Sequence, residues 1–200
     1  MCRMTYTEWR ELMSDGLRQG QDQVYADMEK TVLLRVYSSN VVPGFLQTPE
    51  YVRALLHNIT DFFGTPNDVD QAVDARTARQ RFLHEGDHQF RVIVEEQVLR
   101  HRIGDASTMR EQLQHLLDSL TVPSLRVGII PFGAERSVWP LESFYLYDDR
   151  QTLVENLTAK VDVKAPAELA DYLRAFVGLS KSAVHGDNAR VLIESALAAI

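Results

Sequence analysis

The first third of the chain carries apolar residues at helical spacing. Val24 and Met28, followed by Val32 and Val36, repeat every four residues up to Tyr37, which is the spacing of one buried helix face. The same spacing occurs in a shorter stretch that contains Trp9, Leu12 and Met13. We therefore predict a helical N-terminal third, in which residues 1–40 form a helical extension.

A turn and a helix start follow in the stretch VVPGFLQTPEYVRALL, residues 41–56. Pro43 and Gly44 favour a turn. The triplet Thr48-Pro49-Glu50 supplies a capping hydroxyl, a proline at the first helical position and a carboxylate in the first turn. A helix that buries one face should begin here, because an apolar stripe follows at the i, i+3, i+4 spacing. This stripe is Val52, Leu55 and Leu56.

The hydrophobic period changes after residue 88. In FRVIV, Phe90, Val92 and Val94 alternate with Arg91 and Ile93, which is the two-residue period of a strand. The remaining segments predict one helix, three strand regions and two closing helices. They are MREQLQHLLDSL, then LRVGIIPF, SFYLYDD and TLVENLTAKVDV, then PAELADYLRAFVGLSKSAV and DNARVLIESALAAI. This order predicts one α+β domain over residues 1–200, with a small mixed or antiparallel sheet packed against helices.

Composition sets the broad class of the protein. The 200 residues are 45% hydrophobic and carry a formal net charge of −7. These values fit a globular domain and disfavour nonspecific binding to nucleic acid or an anionic membrane, although a local basic patch is compatible with them. No apolar run reaches the roughly 18 residues of a membrane span. The polar start has no signal-peptide core, so we expect a cytoplasmic protein without a disulfide, since Cys2 is the only cysteine.

One segment matches a metal-site motif in its letters. His84-Glu85-Gly86-Asp87-His88 reads H-E-x-x-H, which binds zinc when both histidines lie one turn apart on a continuous helix. Gly86 weakens a helix at this point and the FRVIV strand follows directly, so we expect a loop and no bound metal. We find no glycine-rich phosphate loop or Cys/His ladder either, and we predict no cofactor.

Polar candidates for a binding site fall in two groups. Arg76, Arg79 and Gln80 lie within two turns of a predicted helix and could hold an anionic or carboxylate group, or they could form a solvated, ion-paired face. Glu96 and Arg100 have the spacing of a helical ion pair. Glu96 and its neighbour Glu95 would instead perturb each other's pKa if both faced a pocket. We place Arg79, Gln80, Glu96 and Arg100 as polar anchors of a site.

Aromatic residues cluster between positions 132 and 147. Such a group suits the wall of a pocket for an organic ligand, a protein interface or ordinary core packing. The cluster contains Phe132, Trp139, Phe144, Tyr145 and Tyr147, and we take Trp139 and Tyr145 as candidate pocket walls.

The stretch VPGFLQTPEYVRALL resembles the VPGLLQT-x-EYA signature of an actinobacterial domain of unknown function, DUF5753, which usually follows an Xre-type helix-turn-helix. The similarity continues in chain order over about residues 24–184. It runs through Arg76-x-x-Arg79-Gln80, VEEQVLR, Gln112-Leu113, Ile130-Pro131, Phe144 and Val154-Glu155. Phe45 replaces the usual leucine and Val52 the usual alanine.

The resemblance implies a sensor or effector-binding region of regulators associated with specialised metabolism. Only 40 residues precede Val41, and we find no helix-turn-helix in them, so we expect no nucleic-acid partner. We predict a small-molecule-binding regulatory protein that acts through a protein partner. Two alternatives stay open. One is a metal-independent enzyme that uses Glu96 and Arg79 in a cyclisation, elimination or rearrangement, and the other is a purely structural interaction module.

Overall fold

In this computed structural model, the structure describes residues 4–140 and 142–200. The chain folds into a mixed sheet with helices on both faces, so the α+β prediction is confirmed. The strands are β1 (Met4–Glu8), β2 (Leu33–Ser38), β3 (Gln89–Glu95), β4 (Leu125–Ile130), β5 (Phe144–Tyr147), β6 (Gln151–Glu155), β7 (Ala159–Val163) and β8 (Val184–His185). The helices are α1 (Trp9–Leu12), α2 (Arg18–Glu29), α3 (Pro49–Phe63), α4 (Val69–Thr77), α5 (Ala106–Ser119), α6 (Pro166–Ser182) and α7 (Asp187–Ala198).

The eight strands lie in the order β1-β7-β6-β5-β2-β3-β4-β8. The three central strands β2, β3 and β4 are parallel to one another, and every other neighbouring pair is antiparallel. The sheet is therefore mixed, as predicted, but with eight strands it is larger than the small sheet we expected.

Two apolar layers hold the sheet between helices. On the first face, which carries Val36 and Val92, the core is closed by α2, α3, α5 and α7. On the second face, α6 packs Phe176 and Leu179 against the sheet. A third cluster joins α3 to α4, so α4 and the segment after it are held beside the first face. Alternating side chains of the central strands β2, β3 and β4 thus pack in two separate cores.

The prediction of a helical N-terminal third is wrong for residues 33–38, which form the strand β2. A four-residue repeat is also an even repeat, so Val32 and Val36 fit a strand as well as a helix. Val32 is 61% exposed, while Leu34 and Val36 are buried on one face and Tyr37 on the other. The chain turns after α2, where the Thr31 N–H donates to the Met28 carbonyl at 2.9 Å.

Residues 1–40 are therefore not a helical extension. β1 pairs with β7, and β2 lies between β5 and β3 in the middle of the sheet. Cys2 lies outside the described residues. None of the helices within residues 4–140 and 142–200 combines the length and apolar character needed to cross a bilayer.

The signature stretch folds as its residues predict. Pro43 precedes a single 3-10 turn, Gly44–Leu46, and the Thr48 hydroxyl then accepts the Tyr51 N–H at 3.4 Å to cap α3. Proline stands at the first position of that helix, and Gly64 ends it in the left-handed conformation at φ 67°. The turn sits close against the helices of the first face, since Phe45 and Leu46 are both buried in the core.

Candidate functional site

The arginine run after α4 divides into an exposed and a buried part. A 3-10 segment, Ala78–Leu83, continues α4 and changes the direction of successive side chains. Arg81 points outward and forms an exposed ion pair with Glu85 at 2.7 Å. Arg79, in contrast, is only 5% exposed. The interpretation of this run as a solvated, ion-paired face therefore holds for Arg81 but not for Arg79.

Arg76 and Arg79 share one neutral partner. The Gln21 side-chain oxygen accepts from Arg76 Nε at 3.0 Å and from Arg79 Nη2 at 2.8 Å. Arg76 Nη1 also donates to the Gln47 side-chain oxygen at 3.1 Å. These contacts leave Arg76 Nη2 and Arg79 Nη1 without a hydrogen bond to any described residue. We call Arg76, Arg79, Gln21 and Gln47 the guanidinium site.

The signature turn forms one wall of the guanidinium site. Gly44 lies so close to the arginines that a Cβ added there would be 3.2 Å from Arg79 Nη2 and 3.8 Å from Arg76 Cδ. Gln47, in the same turn, donates its amide to the Val42 carbonyl at 2.6 Å while it accepts from Arg76. The missing side chain at Gly44 therefore leaves room for the two arginines, and the side-chain amide of Gln47 supplies a hydrogen-bond acceptor for Arg76.

Two tyrosines of β5 lie near the same guanidinium groups. Burial and the charge of Glu155 raise the pKa of Tyr145, and the positive charges of Arg79 and Arg76 oppose this shift. Burial also raises the pKa of Tyr147, again opposed by Arg79. The phenols are therefore neutral near pH 7, and they can donate hydrogen bonds but do not compensate the arginine charges.

The two positive charges of Arg76 and Arg79 have no negative charge paired with them among the described residues. Burial, followed by repulsion from Arg76, lowers the pKa of Arg79 to about 10, so its guanidinium is still protonated at neutral pH. Burial also lowers the pKa of Arg76, while Glu155 raises it. No carboxylate within residues 4–140 and 142–200 forms an ion pair with either arginine. Glu155, on β6, is exposed and acts only through its longer-range charge.

Such an arrangement can bind an anion. Guanidinium groups present paired N–H donors that match the two oxygens of a carboxylate or the oxygens of a phosphate. The unpaired terminal nitrogens of Arg76 and Arg79 supply such donors, and Arg76 is the more exposed of the two.

Gln80 is the predicted anchor that lies nearest to this site. Its amide donates to the Gln47 backbone carbonyl at 2.6 Å and thereby ties the arginine segment to the signature turn. Gln80 also lines an open groove of about 380 Å³ between the start of α3 and one side of α5. The residues along that groove include Glu111, His115 and Asp118.

Glu96 and Arg100 pair with each other, as their spacing predicts. Arg100 Nη2 lies 2.9 Å from Glu96 Oε1, and the Phe132 N–H donates to the other carboxylate oxygen at 3.1 Å. Within the part of the chain that the structure describes, no hydrogen bond or ion pair connects Glu96 or Arg100 with Arg79. The geometry therefore does not unite Glu96 and Arg79 as a catalytic pair.

The aromatic cluster also divides. Tyr145 lies beside the guanidinium site, but Trp139 and Phe132 are 67% and 61% exposed. Phe144 packs in the second core against Tyr37 and Tyr172. Trp139 is thus not a wall of the site that contains Tyr145.

Glu95 has a role that its neighbour Glu96 does not share. Its buried carboxylate accepts from Arg136 Nη1 at 2.8 Å, from Arg136 Nη2 at 2.5 Å and from the Tyr37 hydroxyl at 2.8 Å. The two glutamates have separate partners and no hydrogen bond joins them, so the alternative of a carboxylate pair in one pocket gains no support. The Glu95–Arg136 pair anchors the loop after β4 to the sheet.

A tight apolar cavity lies between the helices and the sheet on the first face. It measures about 10 Å³ and is lined by side chains such as Val42, Leu46, Val92 and Leu116. A void of this size holds at most one water molecule. Its lining contains none of the predicted anchors and none of the four residues of the guanidinium site.

The H-E-x-x-H segment forms turns and a bend, as expected for a loop. His88 contacts the Thr31 carbonyl through Nδ1 at 2.6 Å, and His84 lies in the turn after the 3-10 segment. The two histidines therefore do not share a helix face, and the described residues contain no group of three potential metal ligands.

A family model described as a domain of unknown function, DUF5753, matches residues 23–195. The chain belongs to the DUF5753 family. The match covers the sheet from β2 onward and includes Gln47, Arg76 and Arg79 of the guanidinium site, whereas Gln21 lies just before the matched residues. A comparison with curated proteins gives no significant match.

Several solved structures match this chain at low sequence identity. TrmBL2, an archaeal chromatin protein, matches with a TM-score of 0.45 at 10% identity over 93% of this chain, which spans only 54% of TrmBL2. Nuc from Salmonella typhimurium, a phospholipase D family member, has a TM-score of 0.45 at 8% identity over 92% of this chain and 97% of its own. NucT from Helicobacter pylori has a TM-score of 0.48 at 6% identity over 92% and 98%.

Sequence reasoning found the arginines of the site but missed the two glutamines. Gln21 lies in a polar helix without a distinguishing pattern, and its contact with Arg79 joins residues 58 positions apart. Gln47 offered a signal, because it is a polar residue inside an otherwise apolar, tightly specified turn, and it proves to be 1% exposed. A buried amide requires partners, and here one of them is Arg76.

Proposed function

We propose that this DUF5753 protein is a small-molecule-binding regulatory protein whose organic ligand carries a carboxylate or phosphate group bound by Arg76 and Arg79. The observation that carries the proposal is the burial of Arg79, at 5% exposure, beside a second guanidinium and without an ion pair to any described carboxylate.

The energetic argument rests on the uncompensated charge. Removing a guanidinium from water is unfavourable unless an opposite charge lies close by. Gln21 and Gln47 satisfy part of the hydrogen-bonding capacity but carry no charge. An anion at the free nitrogens would supply the missing charge, so its binding should be favoured by relief of the Arg76–Arg79 repulsion.

A regulator must bind its ligand without consuming it. Glu96 is engaged with Arg100 and the Phe132 N–H rather than with the guanidinium site, which supports binding over acid–base chemistry at Arg79. The neutral phenols of Tyr145 and Tyr147 add apolar surface and hydrogen-bond donors near the anion.

The test compares three variants from one arginine run in a melting assay. Carboxylic acids and sugar phosphates are screened against the wild type, each beside an uncharged ester or amide analogue. We expect stabilisation by at least one anion and none by its neutral analogue, with loss of the shift in Arg76→Gln and Arg79→Gln. Arg81→Gln, which alters an exposed residue paired with Glu85, should retain it. A ligand whose free concentration is 100 times its Kd stabilises the fold by about 2.7 kcal/mol.

Two results would overturn the proposal. One is equal stabilisation by an anion and its neutral analogue, and the other is an unchanged shift in Arg79→Gln. Mass spectrometry of the ligand after prolonged incubation separates a regulator from an enzyme, since only an enzyme would convert it.

A further inference from the structure

Three arginines form a row across the parallel part of the sheet. Arg35 of β2 is the register partner of Arg91 of β3, and Arg91 is the register partner of Arg126 of β4. Residues that pair in register on neighbouring strands project from the same face, about 4.8 Å apart. We call Arg35, Arg91 and Arg126 the arginine row.

The arginine row lies on the second face of the sheet. In β2, Arg35 alternates with the first-face residues Leu34 and Val36, and its β5 partner is Leu146 of the second core. The guanidinium site is associated with Tyr145 and Tyr147, which point to the opposite face of β5. The row is therefore a separate feature on the other side of the sheet.

The three charges of the row are poorly compensated. Arg35 has one carboxylate partner, the exposed Asp149 at 3.3 Å. Within the described residues, Arg91 and Arg126 form no ion pair and donate only to backbone carbonyls, Arg91 to Phe90 at 3.1 Å and Arg126 to Leu125 at 3.0 Å. Like charges directly opposite each other on neighbouring strands are destabilising.

The side chains of the row can also be reached from solvent. Arg126 is exposed, and Arg35 and Arg91 are partly exposed. Two of the three, Arg91 and Arg126, donate through Nη1 alone, so Nε and Nη2 of each are left for a ligand. A ligand whose acidic groups are spaced about as far apart as neighbouring strands could place one group at the guanidinium of each strand.

We propose that the arginine row is a second binding site, for a compact ligand with an oligophosphate chain. Phosphoryl oxygens match guanidinium donors in charge and geometry. A compact ligand is favoured over a long polyanion because the whole chain has a net charge of −7, so nucleic acid extending beyond the row would meet a predominantly acidic protein. This inference goes beyond the proposed function and does not depend on it.

The probe is inorganic triphosphate, with inorganic phosphate and a single-stranded oligothymidine compared at matched ionic strength. We expect triphosphate to raise the melting temperature of the wild type saturably, by roughly 5–10 °C at 100 times its Kd. Calorimetry should show at least tenfold weaker triphosphate binding in Arg91→Gln and in Arg126→Gln.

Controls separate this site from the guanidinium site and from general charge effects. Arg110→Gln removes an exposed arginine from α5, which packs on the first face, and should leave triphosphate binding within twofold of the wild type. Triphosphate bound only at the guanidinium site would keep its affinity in Arg91→Gln, so the tenfold loss in that variant distinguishes the two sites. Arg91→Gln removes a like-charge neighbour, so the unliganded variant should melt at the same temperature as the wild type or higher. A normal melting temperature would show that the variant is folded and that its weaker triphosphate binding is a local effect.

Three outcomes would overturn the proposal. They are no saturable triphosphate binding, an equal loss of binding in Arg110→Gln, and binding of oligothymidine through Arg91 without binding of triphosphate.

Discussion

Gln112 of α5 fastens the signature turn to the core, and its replacement gives the sharpest test of the fold. Its side-chain oxygen accepts the Thr48 N–H at 2.8 Å, and its amide donates to the Leu46 carbonyl at 2.7 Å. Gln112 is 0% exposed. We expect Gln112→Met, which keeps the length of the side chain, to leave both backbone groups buried without partners.

The magnitude follows from these two groups. An unsatisfied buried donor or acceptor destabilises a protein by about 1–3 kcal/mol, so the pair predicts a loss of about 2–6 kcal/mol. The apolar methionine offsets part of this through its own burial, by roughly 1 kcal/mol. For a domain of this size, each kcal/mol lowers the melting temperature by roughly 2–4 °C. The net loss is about 1–5 kcal/mol, so a drop of about 2–20 °C is expected.

Thermal unfolding followed by circular dichroism, with urea titration for the free energy of unfolding, measures the effect. The matched control is Gln114→Met on the same helix, because Gln114 is exposed and its partner is the exposed Asp118 at 3.0 Å. That control should stay within about 0.5 kcal/mol of the wild type. If Gln112→Met and Gln114→Met unfold at the same urea concentration, the two hydrogen bonds of Gln112 do not stabilise the signature turn, and this prediction is refuted.

Two further predictions concern buried groups. Glu95→Gln should destabilise the fold by about 3 kcal/mol in urea titration, because Arg136 and the Tyr37 hydroxyl lose a buried carboxylate; a change below about 1 kcal/mol would contradict this. Burial raises the folded-state pKa of Tyr145 and Tyr147 above the ordinary 10.0, so their contribution to stability is complete below pH 10 and is lost as the pH rises above it. The loss has a slope of about 1.4 kcal/mol per pH unit for each tyrosine. Tyr145→Phe should make this alkaline loss shallower, and an unchanged slope would refute the assignment.

Local signals predicted much of the secondary structure. The Thr48 cap and the alternation in β3 each depend on residues close in sequence, so they could be read correctly. The error at residues 33–38 has a physical reason, since a four-residue repeat satisfies both periods and tertiary pairing with β3 and β5 decided between them. Strand order depends on contacts between distant residues and leaves little local trace.

The candidate site was predictable only in part, for the same reason. The spacing of Arg76 and Arg79 was visible, but whether a guanidinium faces solvent or interior depends on what packs against it. Arg81, two residues further on, has the same chemistry and the opposite environment. The register of Arg35, Arg91 and Arg126 depends on pairing between strands more than 30 residues apart, so it could not be recognised before the sheet order was known.

Under the proposed function, the signature turn would connect ligand binding with the body of the protein. An anion at Arg76 would act on Gln47, which accepts from that guanidinium and also holds the Val42 carbonyl. The residues on either side of Gln47 are the two that Gln112 clamps to α5. A displacement of Gln47 on binding would therefore act on the Thr48 N–H and on the start of α3, because these groups share one short, fully hydrogen-bonded segment. The tightly specified turn contacts both the arginines and α5, so it would link occupancy of the guanidinium site to the helices of the first face.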